Sequence, residues 1–417
     1  MKKMICLILS SIFIFTPIVS IAASNIDAIP VWSETIEVFN QIQNKVELKL
    51  NSEAAILMDE ETGTILYTKN EHKKLRPASV TKVMTLLLIM EALDAGTISL
   101  TDKVPCSSRA SAMGGSQIWL DETEELTVNE MLKAICIVSA NDCCVAMSEF
   151  IAGSEEAFVE KMNARAKELG MNDTTFKNCH GIDEDGHLTS AYDIAIMSRE
   201  LSKNHPKIHE YTKIWMDTLR DGKSQLVNTN KLIRFYSGAT GLKTGSTSLA
   251  LFNLSATATR NDMKLIAVVM KGPTSQQRFD DAKTLLDYGF ANYASICVNK
   301  KGDVIQSLEI PKSKQGKVDF IIAEDYSILV NKADKDKIEN EILIDENITA
   351  PLEYLQKVGT INYKLNGEII GQGNIVSGSK VEQKRWDDYF TTLSGMFFRV
   401  GRWKFLKLCW HKYMRVL

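Results

Sequence analysis

The chain has 417 residues, 45% apolar and 24% charged, with a formal net charge of −3. That composition suits a globular protein with more than one domain. The near-neutral balance gives no whole-chain case for nucleic acid as a partner, although the far C-terminus is basic.

Lys2 and Lys3 precede the apolar run "MICLILSSIFIFTPIVSIAAS", which ends in small residues. This is the pattern of a signal peptide over residues 1–23, with cleavage after Ala22 or Ala23, and it predicts an exported protein. The run is short and holds Pro17, which disfavours a permanent span. Residues 24–47 form a polar leader. Loss of Cys6 with the signal leaves Cys106, Cys136, Cys143, Cys144, Cys179, Cys297 and Cys409, an odd set that suggests no complete disulfide framework. The adjacent Cys143 and Cys144 lie in an apolar helical pattern and are expected as buried free thiols. No CxxC or CxxH spacing supports a structural zinc site.

In chain order, "EAAILMDEETGTILYTKN" reads as a hairpin turning at "DEETG". Residues 79–93 follow as a helix apolar on every face, which only burial allows. Thr127 and Glu130 stand at capping-box spacing ahead of an apolar helix running to Val138. The chain breaks at "SAN", restarts as "DCCVAMSEFIAG", and then forms a helix capped by Ser154 and ended by Gly170. "GLKTGSTSLALFNLSATA" and "KLIAVVMK" alternate like paired strands around the turn "TRND". Helices between strands at both ends predict an α+β domain over 48–293, its antiparallel sheet joining distant parts of the chain. Residues 294–378 carry short alternating runs with "KKGD" and "LNGE" turns, a small all-β domain. Residues 379–417 end in a tail where Trp403, Trp410 and Tyr413 recur at helical spacing among Arg399, Arg402, Lys404, Lys407, Lys412 and Arg415. A basic amphipathic helix rich in aromatics fits a membrane surface. The bland alternative is a helix docked on its own domain.

The chemistry-bearing pair is Ser79 and Lys82, three residues apart at the start of the buried helix. Residues i and i+3 share a helix face, so the amine meets the hydroxyl. A lysine kept neutral by desolvation or a neighbouring cation takes the serine proton. S-x-x-K alone is weak, since Ser377–Lys380 repeats it; S-x-N is equally cheap, since Ser139–Asn141 and Ser202–Asn204 both match. The specific signal is the ordered trio of Ser79–Lys82 opening a buried helix, Ser139–Asn141 in a break between helices, and Lys243–Thr244–Gly245 leading a strand.

On these motifs, and on "AAILMDEETGTILYTKN", "RPASVTKVMT", "NCHGIDEDGHLTSAYDIA" and "GLKTGSTS", the sequence resembles the low-molecular-weight penicillin-binding proteins, the serine D-Ala-D-Ala carboxypeptidases. The likeness runs from about Ser52 to Tyr293, and the β domain and tail resemble that family's C-terminal domain and membrane anchor. It implies a penicillin-binding/β-lactamase-like fold acting on peptidoglycan pentapeptides ending in D-Ala-D-Ala, with β-lactams as inhibitors and no cofactor or metal. It further implies Ser79 as nucleophile, Lys82 as its base and Ser139 as proton relay. Asn141 would bind the substrate amide, Lys243 and Thr244 the terminal carboxylate, and the N–H groups of Ser79 and Ser246 the oxyanion, while Gly245 lets the strand approach. Two departures stand out: Leu251 follows Ala250 where the family often has glycine, and the paired cysteines replace small residues.

The resemblance leaves two competitors. A class A β-lactamase shares the trio but needs a deacylating glutamate between its second and third motifs, where this chain has "HGIDEDGHLTS". A penicillin-binding scaffold without activity would have no use for an intact Ser79 and Lys82. His180 and His187, with Asp183 or Asp185, raise a metal hypothesis for which the trio leaves no task.

Overall fold

A computed structural model describes residues 46–400, without side-chain detail at 396–400. The expected signal peptide, most of the leader and the tail beyond residue 400 lie outside the described residues.

The first strands are β1 (Ala54–Asp59) and β2 (Ile65–Lys69), the hairpin expected around "DEETG". Between them and the helical layer, Ala78–Thr81 form a 3-10 turn that runs into α1 (Lys82–Asp94). The serine is therefore in a tighter turn ahead of the α-helix proper, not inside it. Pro77 precedes the turn and its carbonyl accepts from Val80 N, giving the chain a preset entry.

Next come α2 (Val128–Ile137), α3 (Asn141–Ala152), α4 (Glu155–Glu168) and α5 (Ala191–Arg199). Thr127 and Glu130 make the expected reciprocal capping box at α2, and Ser154 caps α4 through Ala157 N. The break at Val138–Ala140 follows from Ser139, whose φ of +66° no α-helix accommodates.

Three long strands close the domain: β3 (Ala239–Thr247), β4 (Leu251–Arg260) and β5 (Met263–Gly272), followed by α6 (Ser275–Asn292). The antiparallel order β2-β1-β5-β4-β3 pairs the first strand of the domain with its last. The run "GLKTGSTSLALFNLSATA", read above as one alternating stretch, is two strands joined at Ser248–Ala250. That turn lacks glycine, and Leu251 supplies the left-handed backbone with φ +54°. A leucine in that region is strained by about 1–2 kcal/mol, which a glycine would not be.

Both faces of the sheet are covered, so its central strands show no polar alternation. Ile56 and Met58 of β1, with Ile266 and Val268 of β5, join the helical core of α1, α2 and α3. Their neighbours Ala55, Leu57, Leu265 and Ala267 pack instead with Phe279, Leu285 and Leu286 of α6. Asp281 of α6 fastens the N-terminal entry to the sheet by accepting from Ser52 N and Oγ at 2.6 Å each.

The second domain contains β6 (Tyr293–Asn299), β7 (Val304–Leu308), β8 (Val318–Ile322), β9 (Tyr326–Asn331), β10 (Ile338–Ile344), β11 (Lys357–Leu365) and β12 (Glu368–Ser377). Strands β7-β8-β12-β11-β10 form one antiparallel sheet, and β6 pairs with β9. A separate core of Phe320, Ile328, Ile361, Tyr363 and Ile375 holds it together. A final helix, α7 (Trp386–Val400), opens the tail.

Candidate active site

Three chain segments meet at the 3-10 turn. Ser79 is half-buried at its mouth, whereas Lys82, one turn on, is 0% exposed. Lys82 Nζ lies 2.9 Å from Ser79 Oγ, 2.7 Å from Asn141 Oδ1 and 2.6 Å from the His180 carbonyl oxygen. Burial pulls its pKa below the ordinary lysine range. The geometry dictates where a neutral amine would direct its lone pair. Asn141 Oδ1 and the His180 carbonyl can only accept, so they take its two N–H bonds, and the lone pair is left for the Ser79 hydroxyl. Asn141 is itself oriented by donating from Nδ2 to the Gly114 carbonyl at 2.7 Å. The asparagine expected to hold a substrate amide thus has its carbonyl on Lys82 and keeps one N–H for another partner.

Ser139 is 4% exposed, and its Oγ has no hydrogen-bond partner among the described residues. A buried hydroxyl left unpaired at a left-handed residue is strain of the kind that collects at functional sites. Ala78, immediately before Ser79, is also left-handed at φ +49°.

Strand β3 is an edge of its sheet and runs alongside the 3-10 turn. Lys243 is buried, its Nζ 2.9 Å from the Thr244 carbonyl. Burial, then the charge of Lys82, pushes the Lys243 pKa well down. At Lys82 itself desolvation lowers the pKa against the opposing pull of Cys144, Cys179 and Asp142, so the repulsion expected to keep Lys82 neutral acts on Lys243 instead. Thr244 Oγ1 donates to Thr229 Oγ1 at 2.8 Å, and Ser246 is exposed beyond it. A Cβ on Gly245 would stand 2.8 Å from Val80 N and 2.9 Å from both Ser79 N and the Pro77 carbonyl. The glycine therefore serves the approach of the strand to the serine's own turn.

The remaining wall is "NCHGI". Gly181, at φ +91°, lies so close that a Cβ there would come 2.0 Å from the Ala78 carbonyl oxygen and 2.9 Å from Ser79 N. Asn253 of β4 donates from Nδ2 to the Arg76 and Pro77 carbonyls, 2.9 Å each, and fixes the approach to the serine. Gly181 and Asn253 escaped sequence reading because neither belongs to a spacing motif. The signal available for Gly181 was a glycine inside a loop that resembled the family.

The histidines are engaged in structure. His187 Nδ1 accepts from Lys177 N at 3.1 Å, which leaves Nε2–H to donate to Thr81 Oγ1 at 2.8 Å. Burial drops its pKa to about 4. His180 Nε2 sits 3.3 Å from Glu155 Oε1. Burial raises the Glu155 pKa, but the hydrogen bond and charge of His180 more than offset this and hold it at about 2. The metal-like cluster among the described residues, Glu91, Glu200 and His205, is elsewhere, and Arg165 bonds to both its glutamates. The spare motif copies also lie apart, Ser202 in the turn Glu200–Asn204 and Ser377 at the end of β12.

A half-buried serine, a buried amine against it and a lysine-bearing edge strand, on this α+β fold, define a penicillin-interacting serine peptidase. The chain belongs to the family described as D-alanyl-D-alanine carboxypeptidase, peptidase S11, which matches residues 40–274; the C-terminal domain of penicillin-binding protein 5 matches 293–383. It is 45% identical to D-alanyl-D-alanine carboxypeptidase DacF of Bacillus subtilis (strain 168), over 79% of this chain and 86% of that one. Penicillin-binding protein 5 of Haemophilus influenzae superposes with a TM-score of 0.72 and 30% identity, covering 81% of this chain and 99% of that one. Penicillin-binding protein D2 of Listeria monocytogenes, solved in an ampicillin-bound form, gives a TM-score of 0.54 and 30% identity over 59% of this chain and 100% of that one. The protein is a serine-type D-Ala-D-Ala carboxypeptidase and a penicillin-binding protein.

Two outcomes follow from the packing. Gly181→Ala forces the Ala78–Ser79 backbone aside, and a shift near 1 Å is expected to slow acylation by a fluorescent penicillin about 100-fold; stopped-flow labelling measures it. His187 has an ordinary pKa of 6.5 when unfolded and about 4 when folded. The unfolded chain therefore binds the extra proton first, and stability falls as pH drops from about 6.5 to about 4, by roughly 3 kcal/mol. Denaturant unfolding of wild type against His187→Gln should show that dependence weakened in the variant.

Proposed function

We propose that Ser79 is the acylated nucleophile and Lys82 its general base. The observation that carries this reading is the 2.9 Å contact of Lys82 Nζ with Ser79 Oγ while its other partners are fixed acceptors. Ser79 Oγ attacks the carbonyl joining the two D-alanines, and its proton passes to Lys82. Ser139, buried and unpaired two residues before Asn141, relays a proton to the leaving amine of the terminal D-Ala. The C–N bond breaks, an ester to Ser79 remains, and water hydrolyses it to regenerate the hydroxyl. Lys243 and Thr244 hold the terminal carboxylate, and the N–H groups of Ser79 and Ser246 hold the oxyanion, where one donor is typically worth about 2.7–4 kcal/mol. Asn141 orients Lys82 and offers its remaining N–H to the substrate amide.

The same reading places the enzyme outside the cytoplasm, with peptidoglycan stem peptides as substrate. We propose further that the C-terminal helix holds it on the outer face of the cytoplasmic membrane. Trp386 and Phe390 stack at 5.4 Å on the exposed start of α7, and basic residues interleave with aromatics further along the sequence. No helix among the described residues is long and apolar enough to cross a membrane.

Ser79→Ala should abolish covalent labelling by a fluorescent penicillin and D-Ala release together; labelling retained in the variant would remove Ser79 from its role. For the tail, the chain from residue 24 should co-sediment with vesicles containing anionic lipid, whereas the same chain ending at Lys384 should stay in the supernatant. Equal partitioning of the two would refute the anchor.

A further inference from the structure

Trp119 is left 75% exposed between two buried neighbours, Ile118 and Leu120. Its backbone is left-handed, φ +54°, which is unusual for a bulky residue and needs support from its surroundings. That support is dense. Asp142 Oδ2 accepts from Ile118 N at 3.0 Å and Leu120 N at 3.1 Å, bracketing the tryptophan. Arg220 donates to the Ile118 carbonyl at 2.9 Å and the Trp119 carbonyl at 3.3 Å, and is itself clamped by Glu124 through bonds of 2.6 and 2.7 Å.

The same loop is tied to the catalytic centre. The Gly114 carbonyl accepts from Asn141 Nδ2 and the Ser116 carbonyl from Asn141 N, both at 2.7 Å. Asp142 is the residue after Asn141, and Asn141 carries the bond to Lys82 Nζ. The loop thus holds the backbone that carries the exposed indole to Asp142 and Asn141, and through Asn141 to Lys82.

We propose that the Trp119 indole is a specificity-determining platform for the acyl side of the substrate. Its ligand would be the side chain of the residue just before D-Ala-D-Ala. An aliphatic stem ending in an ammonium, as in a diamino acid, suits it best: the stem covers the ring face and the cation meets its negative quadrupole. This rests on Ser79 being the nucleophile, since that fixes which end of the peptide lies on this side.

The test compares D-Ala release from Nα-acetyl-L-Lys-D-Ala-D-Ala and Nα-acetyl-Gly-D-Ala-D-Ala by wild type, Trp119→Ala and Trp119→Phe. The ratio of kcat/KM for the lysine peptide over the glycine peptide should fall about tenfold in Trp119→Ala, mostly through KM, and recover largely in Trp119→Phe. An unchanged ratio would overturn the proposal, whether both rates hold or both fall together because the loop has moved. Labelling of wild type by a fluorescent penicillin is read in parallel; absence of label on Ser79 would refute the nucleophile assignment itself, separately from any ratio.

Discussion

A buried lysine amine has few places to put its bonds, and this active site is organised around that constraint. Lys82 is removed from water on the first turn of α1 and surrounded by Asn141 Oδ1, the His180 carbonyl and Ser79 Oγ. An isolated ammonium in such a place is expensive, so desolvation favours the neutral form. With two obligate acceptors taking its N–H bonds, a neutral amine would be left with its lone pair toward Ser79 Oγ. Each partner comes from a different stretch of chain, so the amine acquires its chemistry only when the helices, the "SAN" break and the loop at His180 have all assembled.

Backbone proximity is the second requirement. Gly245 and Gly181 flank the nitrogen of Ser79 with no side chain of their own, and Asn253 anchors the carbonyls just ahead of it. Left-handed Ala78 is tolerated because this packing over-determines it. The site is thus held by main-chain contacts at least as much as by the motif side chains.

What was legible in the sequence follows that division. Local rules exposed the Ser79–Lys82 spacing, the Thr127–Glu130 box, the Ser154 cap and the lysine-bearing strand, because each is written within a few residues. The turn between β3 and β4 was hidden because a leucine occupies the position where glycine would have announced it. The engagement of Asn141 with Lys82, and the closeness of Gly181 to Ala78, depend on contacts across 59 and about 100 positions of chain, beyond any periodicity. Burial of Cys143 and Cys144 was foreseeable from the apolar helix around them.

Those thiols have a consequence for redox behaviour. Cys106, Cys136, Cys143, Cys144 and Cys179 are all buried and unbridged, and burial pushes Cys144 up to about 12. A thiol so reluctant to ionise is a poor nucleophile toward disulfides and oxidants. The catalytic domain's described fold therefore needs no oxidant to form and nothing a reductant would sever. Among the described residues, Cys297 in the β domain is the exposed thiol, and it is where oxidative chemistry on this part of the chain would begin.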